Sequence, residues 1–253
     1  MCDLLDVART TQVIREASPD IVIHAQAQSD VDRCEIEPAM AAAQNVETTA
    51  HVIEALRSSG AWLVYISTDY VFDGEKGSPY DEQDVPRPIS VYGTTKLEGE
   101  RRTLACAQGI VVRPSTLFGP ARMNFCDQVA TRIREGQPVE AFDDQTTSPT
   151  YTDDLADGMA ALLEAIQRNL LGARRVLHMA NAGSCTRVEF AQRIADLLGC
   201  PRDSIRGIAM AEQRRPAKRP AYSALTTRYL SNVIGRTLRP WDDALQAYLR
   251  QRR

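Results

Sequence analysis

The sequence has few histidines, no paired cysteines and no long apolar segment. Its three histidines, His24, His51 and His178, are far apart, which argues against a histidine metal site. The six cysteines occur singly and form no C-x-x-C pair, so the sequence does not predict a zinc ribbon. No apolar run reaches the ~18–20 residues that cross a bilayer. We therefore predict neither a metal site nor a membrane partner.

Basic targeting segments and a strong net charge are missing as well. No basic stretch followed by an apolar one opens the chain, and unpaired thiols are typical of a reducing compartment, so we expect a cytoplasmic protein. The formal net charge of −3 over 253 residues gives no general attraction for nucleic acid. The hydrophobic fraction of 43% is ordinary for a globular protein with a substantial core.

The glycine loop of dinucleotide-binding folds is also absent. In such folds G-x-G-x-x-G follows the first strand and binds the pyrophosphate at a helix N-terminus. Here no two of the 14 glycines are two residues apart. We therefore expect a truncated chain, in preference to one whose sheet edge is closed by other means. Residues 21–24 would then form a bare apolar edge.

Helix and strand patterns alternate along the chain, which is typical of a parallel sheet covered by helices on both faces. Apolar runs at 21–24, 62–66 and 110–113 predict strands buried on both sides. Predicted helices span residues 7–17, 38–58, 91–107, 124–134, 152–169, 187–198 and 241–250, with a late strand at 175–179. We expect Thr152 or Asp153 to cap the helix that begins there.

Polar segments follow the three early strands, at 26–32, 67–69 and 114–119. The carboxyl ends of parallel strands share one edge of the sheet, and open α/β sheets bind their ligands there. We therefore expect these segments to line a common cleft.

The segment from Ser67 to Lys96 carries the clearest chemical signal. Tyr92 and Lys96 are four residues apart on a predicted helix and share one face of it, and Thr68 follows a predicted strand. A free phenol titrates near ~10, and a nearby cation lowers that value. A phenol, an ammonium and a hydroxyl can together donate a proton to a carbonyl that is being reduced. From the spacing alone, a surface tyrosine and lysine on a solvated helix would be the better interpretation.

Longer motifs surround this segment. They are Pro-Asp-Ile-Val-Ile-His-Ala (19–25), Ser-Thr-Asp-Tyr-Val-Phe-Asp-Gly (67–74), Val-Tyr-Gly-Thr-Thr-Lys-Leu-Glu-Gly-Glu (91–100), Asp144-Gln145 with Ser148-Pro149-Thr150, and Arg219-Pro220. In this combination the chain resembles the extended short-chain dehydrogenases/reductases, and within them the dTDP-4-dehydrorhamnose reductases. The resemblance runs almost end to end.

The resemblance implies an α/β fold: an N-terminally incomplete, Rossmann-like, doubly wound parallel sheet with a small substrate-binding subdomain. Residues 1–113 and 151–180 would form the dinucleotide-binding domain, and residues 114–150 and 181–253 the substrate-binding subdomain. The implied reaction is reduction of a nucleotide-linked 4-keto-6-deoxysugar, such as dTDP-4-dehydro-L-rhamnose to dTDP-L-rhamnose. NADPH or NADH would supply the hydride, and a homodimer is compatible with this family.

The resemblance also implies roles for individual residues. The catalytic residues would be Thr68, Tyr92 and Lys96. The cofactor would be bound by Asp3, Leu4, Ala25, Ala27, Gln28, Ser29, Ser67, Tyr92 and Lys96. The substrate would be bound by Thr68, Asp69, Ser115, Thr116, Asn124 and Arg219. Asn45 is expected to brace the active-site backbone through buried hydrogen bonds.

Two alternatives stay open on the sequence. The regulatory subunits of methionine adenosyltransferase share much of the same motifs and act by binding a partner, so a non-catalytic binding module is one. A reductase made inactive by truncation is the other. The D-Q-x-x-S-P-T segment at 144–150 favours a reductase. Arg113-Pro-Ser-Thr116 replaces the usual R-T-S-W of these reductases, so the sequence does not identify the sugar of the substrate.

Overall fold

A parallel sheet of four strands lies at the centre of the structure, a computed structural model that describes residues 2–252. The strands in chain order are β1 Ile21–His24, β2 Trp62–Ile66, β3 Gly109–Arg113, β4 Leu117–Phe118, β5 Val139–Phe142, β6 Thr146–Thr147, β7 Thr150–Tyr151, β8 Val176–His178, β9 Cys185–Thr186 and β10 Ile205–Ile208. β1, β2, β3 and β8 pair in that order, all parallel. The predicted α/β fold with a parallel sheet is therefore confirmed.

Helices pack against this sheet and against the smaller strand pairs. They are α1 Val7–Ala17, α2 Val31–Ile36, α3 Pro38–Ala42, α4 Thr48–Leu56, α5 Val91–Leu104, α6 Phe125–Arg134, α7 Thr152–Gln167, α8 Arg187–Leu198, α9 Arg228–Ile234 and α10 Trp241–Gln251. A π-helical turn, Ala43–Glu47, interrupts the long helix predicted over 38–58 and separates α3 from α4. Between residues 2 and 252, no helix combines the length and the apolar character that crossing a membrane requires.

α5 positions the tyrosine–lysine pair beside the end of β2. The helix begins after Ser90, whose hydroxyl accepts a hydrogen bond of 3.2 Å from the Gly93 amide. A Cβ atom at Gly93 would lie 2.2 Å from the backbone oxygen of Tyr70. Only glycine permits this close approach, which sets the distance between α5 and the turn after β2.

The C-terminal part of the described chain has a hydrophobic cluster of its own. Phe118, Tyr151, Phe190 and Tyr248 lie in ring contact there, with the Phe118 ring 5.5–5.7 Å from the other three. β5 pairs with β10 in parallel beside this cluster. A second large cluster joins β3 and β8 to α7 and α9. The space between these elements and the carboxyl edge of the sheet forms the cavities described below.

Two local predictions were wrong. α7 follows Tyr151 without a side-chain cap, because Asp153 instead accepts a hydrogen bond of 2.6 Å from the Tyr151 hydroxyl. β1 is not buried on both sides, since Ile23 is 45% exposed. Among residues 2–252, β1 has a neighbour on one side only, which leaves the bare apolar edge that the absence of a glycine loop predicted.

Candidate active site

A cavity of about 550 Å³ opens where β1, β2 and β3 end. The predicted site residues that line it are Ala25, Ala27, Ser29, Ser67, Thr68, Asp69, Tyr92, Lys96, Ser115, Thr116 and Asn124. The polar segments after the three strands therefore do form one cleft. The phenol, the ammonium and the hydroxyl singled out in the sequence border the same space.

Hydrogen bonds fix the turn after β2. The Thr68 hydroxyl accepts from the Tyr70 amide at 3.2 Å and donates to Asp69 Oδ1 at 3.1 Å. Asp69 Oδ2 accepts from the hydroxyls of Ser115 at 2.8 Å and Ser223 at 2.6 Å. Burial raises the pKa of Asp69, while the bonds from the three hydroxyls lower it. Asp69 thus ties the turn after β2 to two distant segments, and both of its oxygens are occupied.

Tyr92 is the phenol at this cavity. Its ring meets the Tyr70 ring edge to face, with centroids 5.9 Å apart and an interplanar angle of 72°. Burial raises the pKa of Tyr92 above that of a free phenol, while a side-chain hydrogen bond with Thr68 lowers it. The phenol is therefore protonated throughout the neutral range, and a nearby positive charge would make it a stronger acid.

Lys96 is buried, with 2% of its surface exposed. Its Nζ donates a hydrogen bond of 2.6 Å to the backbone oxygen of Ile66 and lies 4.1 Å from the centre of the Tyr65 ring. Burial lowers the pKa of Lys96 to about 7, and the charge of Glu100 opposes that shift. Lys96 is accordingly only partly protonated near neutral pH in the absence of a ligand.

Asn45, in the π-helical turn, braces the segment after β1. Its Oδ1 accepts from the Gln28 amide at 2.7 Å, and its Nδ2 donates to Gln28 O at 3.2 Å and to Thr95 Oγ1 at 2.9 Å. The bracing role predicted for Asn45 is confirmed. Gln28 itself lies outside the cavity, with its side-chain nitrogen 3.8 Å from the sulfur of Met40.

A buried ion pair lies behind the cavity. Arg113 Nη2 and Nε donate to the two oxygens of Glu100 at 2.6 and 2.8 Å, and both side chains are at most 4% exposed. Glu100 Oε1 also accepts from the Ser67 hydroxyl at 2.5 Å. Arg113 lies 3.4 Å from His178 Nε2, and burial lowers the pKa of His178 to about 3, so this histidine is neutral. The pair holds Ser67 against the sheet edge.

A second cavity, of about 540 Å³, shares Tyr70 and Arg187 with the first. The charged residues that line it are Arg132, Glu140, Arg187, Arg215 and Arg219. Phe125 and Phe142 provide aromatic walls. Asp32 pairs with Arg215 and Arg219 from outside the lining, but the cations still outnumber the carboxylates, which favours an anionic ligand.

Three other predicted site residues lie elsewhere. Asp3 Oδ1 accepts from the Leu5 amide at 3.0 Å, and Leu4 O lies 2.8 Å from His51 Nδ1, away from both cavities. Arg219 borders the second cavity, with its fork engaged by the carboxylate of Asp32 at 2.8 and 3.1 Å. Within the described part of the chain, no three His, Cys, Asp or Glu side chains are grouped to hold a metal ion.

Comparison with known proteins gives the family. A profile described as the RmlD substrate binding domain matches residues 1–253. The chain belongs to this family. The sequence is 36% identical to a dTDP-4-dehydrorhamnose reductase of Mycobacterium tuberculosis, over 98% of this chain and 81% of that protein.

Other relatives of the family show its range. A protein of Streptomyces antibioticus described as a probable dTDP-4,6-dihydroxy-2-methyloxan-3-one 4-ketoreductase is 36% identical over 96% of this chain and 83% of its own length. A dTDP-4-dehydrorhamnose reductase of Bacillus anthracis str. Ames, solved in complex with NADP, superposes with a TM-score of 0.91 at 30% identity, covering 98% of this chain and 86% of that one. The family resemblance inferred from the motifs is therefore confirmed. The names of these relatives refer to different sugar substrates.

Sequence reasoning overlooked several residues that the structure brings to the site. Tyr70 stands inside a quoted motif, but it received no role. Glu100 is one turn after Lys96, and that spacing was the signal that could have identified it. No local pattern marks Arg187, because its place between the two cavities depends on how α8 packs.

Proposed function

We propose that this chain reduces a nucleotide-linked 4-keto-6-deoxysugar of the dTDP-4-dehydro-L-rhamnose kind, with NADPH or NADH as hydride donor. The observation that carries the proposal is the single cavity lined by Thr68, Tyr92 and Lys96. The names of the relatives support the reaction class, and the NADP complex of the Bacillus protein supports the class of cofactor.

In this proposal Tyr92 is the general acid. When bound, the nicotinamide supplies a hydride to the carbonyl carbon. The carbonyl oxygen takes up the electron pair of the broken double bond and receives the Tyr92 proton. The Thr68 hydroxyl would turn its one hydrogen from Asp69 Oδ1 to that oxygen, donate a second hydrogen bond to it and stabilise its developing charge. Protonated Lys96 would lower the pKa of the phenol and would hold the ribose of the cofactor.

The residues after β1 are suited to the nicotinamide end of the cofactor. Ala25, Ala27 and Ser29 have small side chains that would let a dinucleotide approach the backbone after β1, beside Ser67. The sequence contains no glycine loop for the pyrophosphate. We therefore propose that this chain holds the nicotinamide end better than the rest, with Asp3, Leu4 and Gln28 as candidate contacts to the remainder.

The sugar would lie against the other wall of the cavity. The proposed sugar-facing residues are Thr68, Asp69, Ser115, Thr116 and Asn124, with Arg219 toward the diphosphate. The division into a cofactor domain (1–113 and 151–180) and a substrate subdomain (114–150 and 181–253) belongs to the same proposal. So do a cytoplasmic location and a homodimer, the latter to be tested by light scattering.

The test is oxidation of NADPH by the purified chain, at millimolar cofactor to fill a weak site, with dTDP-4-dehydro-L-rhamnose as substrate. Tyr92→Phe removes the proton donor and leaves the ring, so we expect turnover to fall at least ~100-fold, the lower range for general acid catalysis. Tyr229→Phe, at a tyrosine that lines neither of these two cavities, is the matched control.

Turnover retained by Tyr92→Phe would remove Tyr92 from its role. A chain without turnover at any cofactor concentration would reject the reductase proposal for these 253 residues. Capture of a methionine adenosyltransferase by such an inactive chain would then support the binding module.

A further inference from the structure

Arg187 lies at the wall between the two cavities without an ion-pair partner among residues 2–252. Its Nε donates to Gln145 Oε1 at 3.4 Å, and its guanidinium carbon lies 5.0 Å from the centre of the Phe125 ring. Both contacts are to neutral groups. Burial lowers the pKa of Arg187, which means that its charge is poorly compensated in the unliganded chain.

The neighbouring arginines of the second cavity are already engaged. Asp32 takes both ends of the Arg219 fork, and Arg215 lies 3.7 Å from the same carboxylate. Arg132 has no ion pair among residues 2–252 either, but its side chain is exposed to solvent and donates to the backbone oxygen of Pro138 at 3.1 Å. Arg187 is less exposed, and it is thus the cation whose charge is least compensated among those that line this cavity.

A short series of contacts leads from Arg187 to the proposed proton donor. The Gln145 side chain that accepts from Arg187 also donates to the Tyr70 hydroxyl at 3.4 Å. The Tyr70 ring in turn contacts the Tyr92 ring. A ligand whose reacting carbon is at Tyr92 and whose body extends into the second cavity would pass beside Arg187.

Resting on the proposed function, we propose that Arg187 binds the diphosphate of the nucleotide sugar and selects nucleotide-linked sugars over free ones. The planar fork of arginine matches phosphate oxygens with two parallel hydrogen bonds. The nucleoside then occupies the cavity walled by Phe125 and Phe142, and the keto sugar extends toward Tyr92. Arg187 thereby sets substrate specificity, and it takes no part in proton transfer.

The test is titration calorimetry of the 253-residue chain with dTDP, thymidine and NADP⁺. We expect Arg187→Met to weaken dTDP binding about tenfold or more, as loss of a charge-assisted hydrogen bond implies. Thymidine and NADP⁺ affinities should not change. Arg187→Lys keeps the charge without the fork and should restore part of the loss. Arg206→Met, at an arginine outside both cavities, is the matched control.

Two further readouts separate binding from folding. Met replaces a partly buried cation that has no ion pair among residues 2–252, so the melting temperature of unliganded Arg187→Met should equal or exceed that of the wild type. In the turnover assay, the variant should raise KM and leave kcat nearly unchanged.

Wild-type dTDP affinity in Arg187→Met would overturn the assignment, and so would a wild-type chain that does not bind dTDP. A loss confined to NADP⁺ would assign Arg187 to the cofactor and would also overturn it. These outcomes are distinct from failure of the proposed function, which is decided by cofactor oxidation and Tyr92→Phe.

Discussion

Lys96→Met tests the electrostatics of the site through the pH dependence of stability. The native pKa of Lys96 lies well below the 10.5 of an unfolded lysine, at about 7, so between these values the unfolded chain binds more protons at this position. Wild-type stability therefore gains a contribution as pH rises through this window. The free-energy cost of burying the charged amine is fully present below pH 7 and is lost near pH 10.5. A variant without the amine has no such contribution.

The size of the effect follows from the pKa shift of Lys96. A shift from 10.5 to about 7 corresponds to about 5 kcal/mol at low pH. About 3.5 kcal/mol of this cost is released between pH 7 and pH 10, because the native amine loses its proton near pH 7 while the unfolded amine keeps most of its proton up to pH 10.

The measurement is urea unfolding of the wild type and Lys96→Met at intervals from pH 7 to pH 10. We expect the stability of the variant relative to the wild type to fall by about 3.5 kcal/mol over this range. Lys218→Met, at an exposed lysine, is the matched control. A constant difference for Lys96→Met, or one that grows with pH, would refute the reasoning.

Two other perturbations test the buried ion pair and the cofactor site. Glu100→Gln leaves Arg113 charged and buried, so we expect the free energy of unfolding measured with urea to fall by about 3 kcal/mol. For Glu98→Gln, in an exposed pair, we expect a fall of less than ~1 kcal/mol. Equal losses would contradict the buried-charge argument. Because the sequence lacks a pyrophosphate loop, we expect NADPH to bind the 253-residue chain with a dissociation constant above the micromolar range. Calorimetric binding in the micromolar range would show that other groups replace the loop.

The central sheet and the placement of Tyr92 beside Lys96 could be predicted because their signals are local. β2 and β3 are continuous apolar runs, and the helical period alone places Tyr92 and Lys96 on one face of α5. The strands β4, β6, β7 and β9 have two residues each, too few for any periodicity to appear. The π-helical turn was missed because no composition signal distinguishes it from the surrounding helix.

Long-range contacts account for the rest of what the sequence did not predict. The position of Arg187 depends on the antiparallel pairing of β6 with β9 and on its amide, which donates to Gln145 O at 3.2 Å, 42 residues away. Lys96 meets Ile66 across 30 residues through the packing of α5 on β2. Neither contact follows from propensity or spacing, because each is made by elements that meet only in the folded chain.

Lys96 and Arg187 share a property that links stability to ligand binding. Neither forms an ion pair within residues 2–252, although carboxylates lie close by. Glu100 is one turn from Lys96, but its oxygens are taken by Arg113 and Ser67, and Asp69 is occupied by three hydroxyls. Both cations line cavities that the anionic substrate and cofactor would occupy. A charge left unpaired in a buried site destabilises the unliganded fold, and an anionic ligand that pairs with it recovers that free energy as affinity. Removal of either cation should therefore stabilise the empty protein and weaken its ligand, a combination that loss of packing alone would not produce.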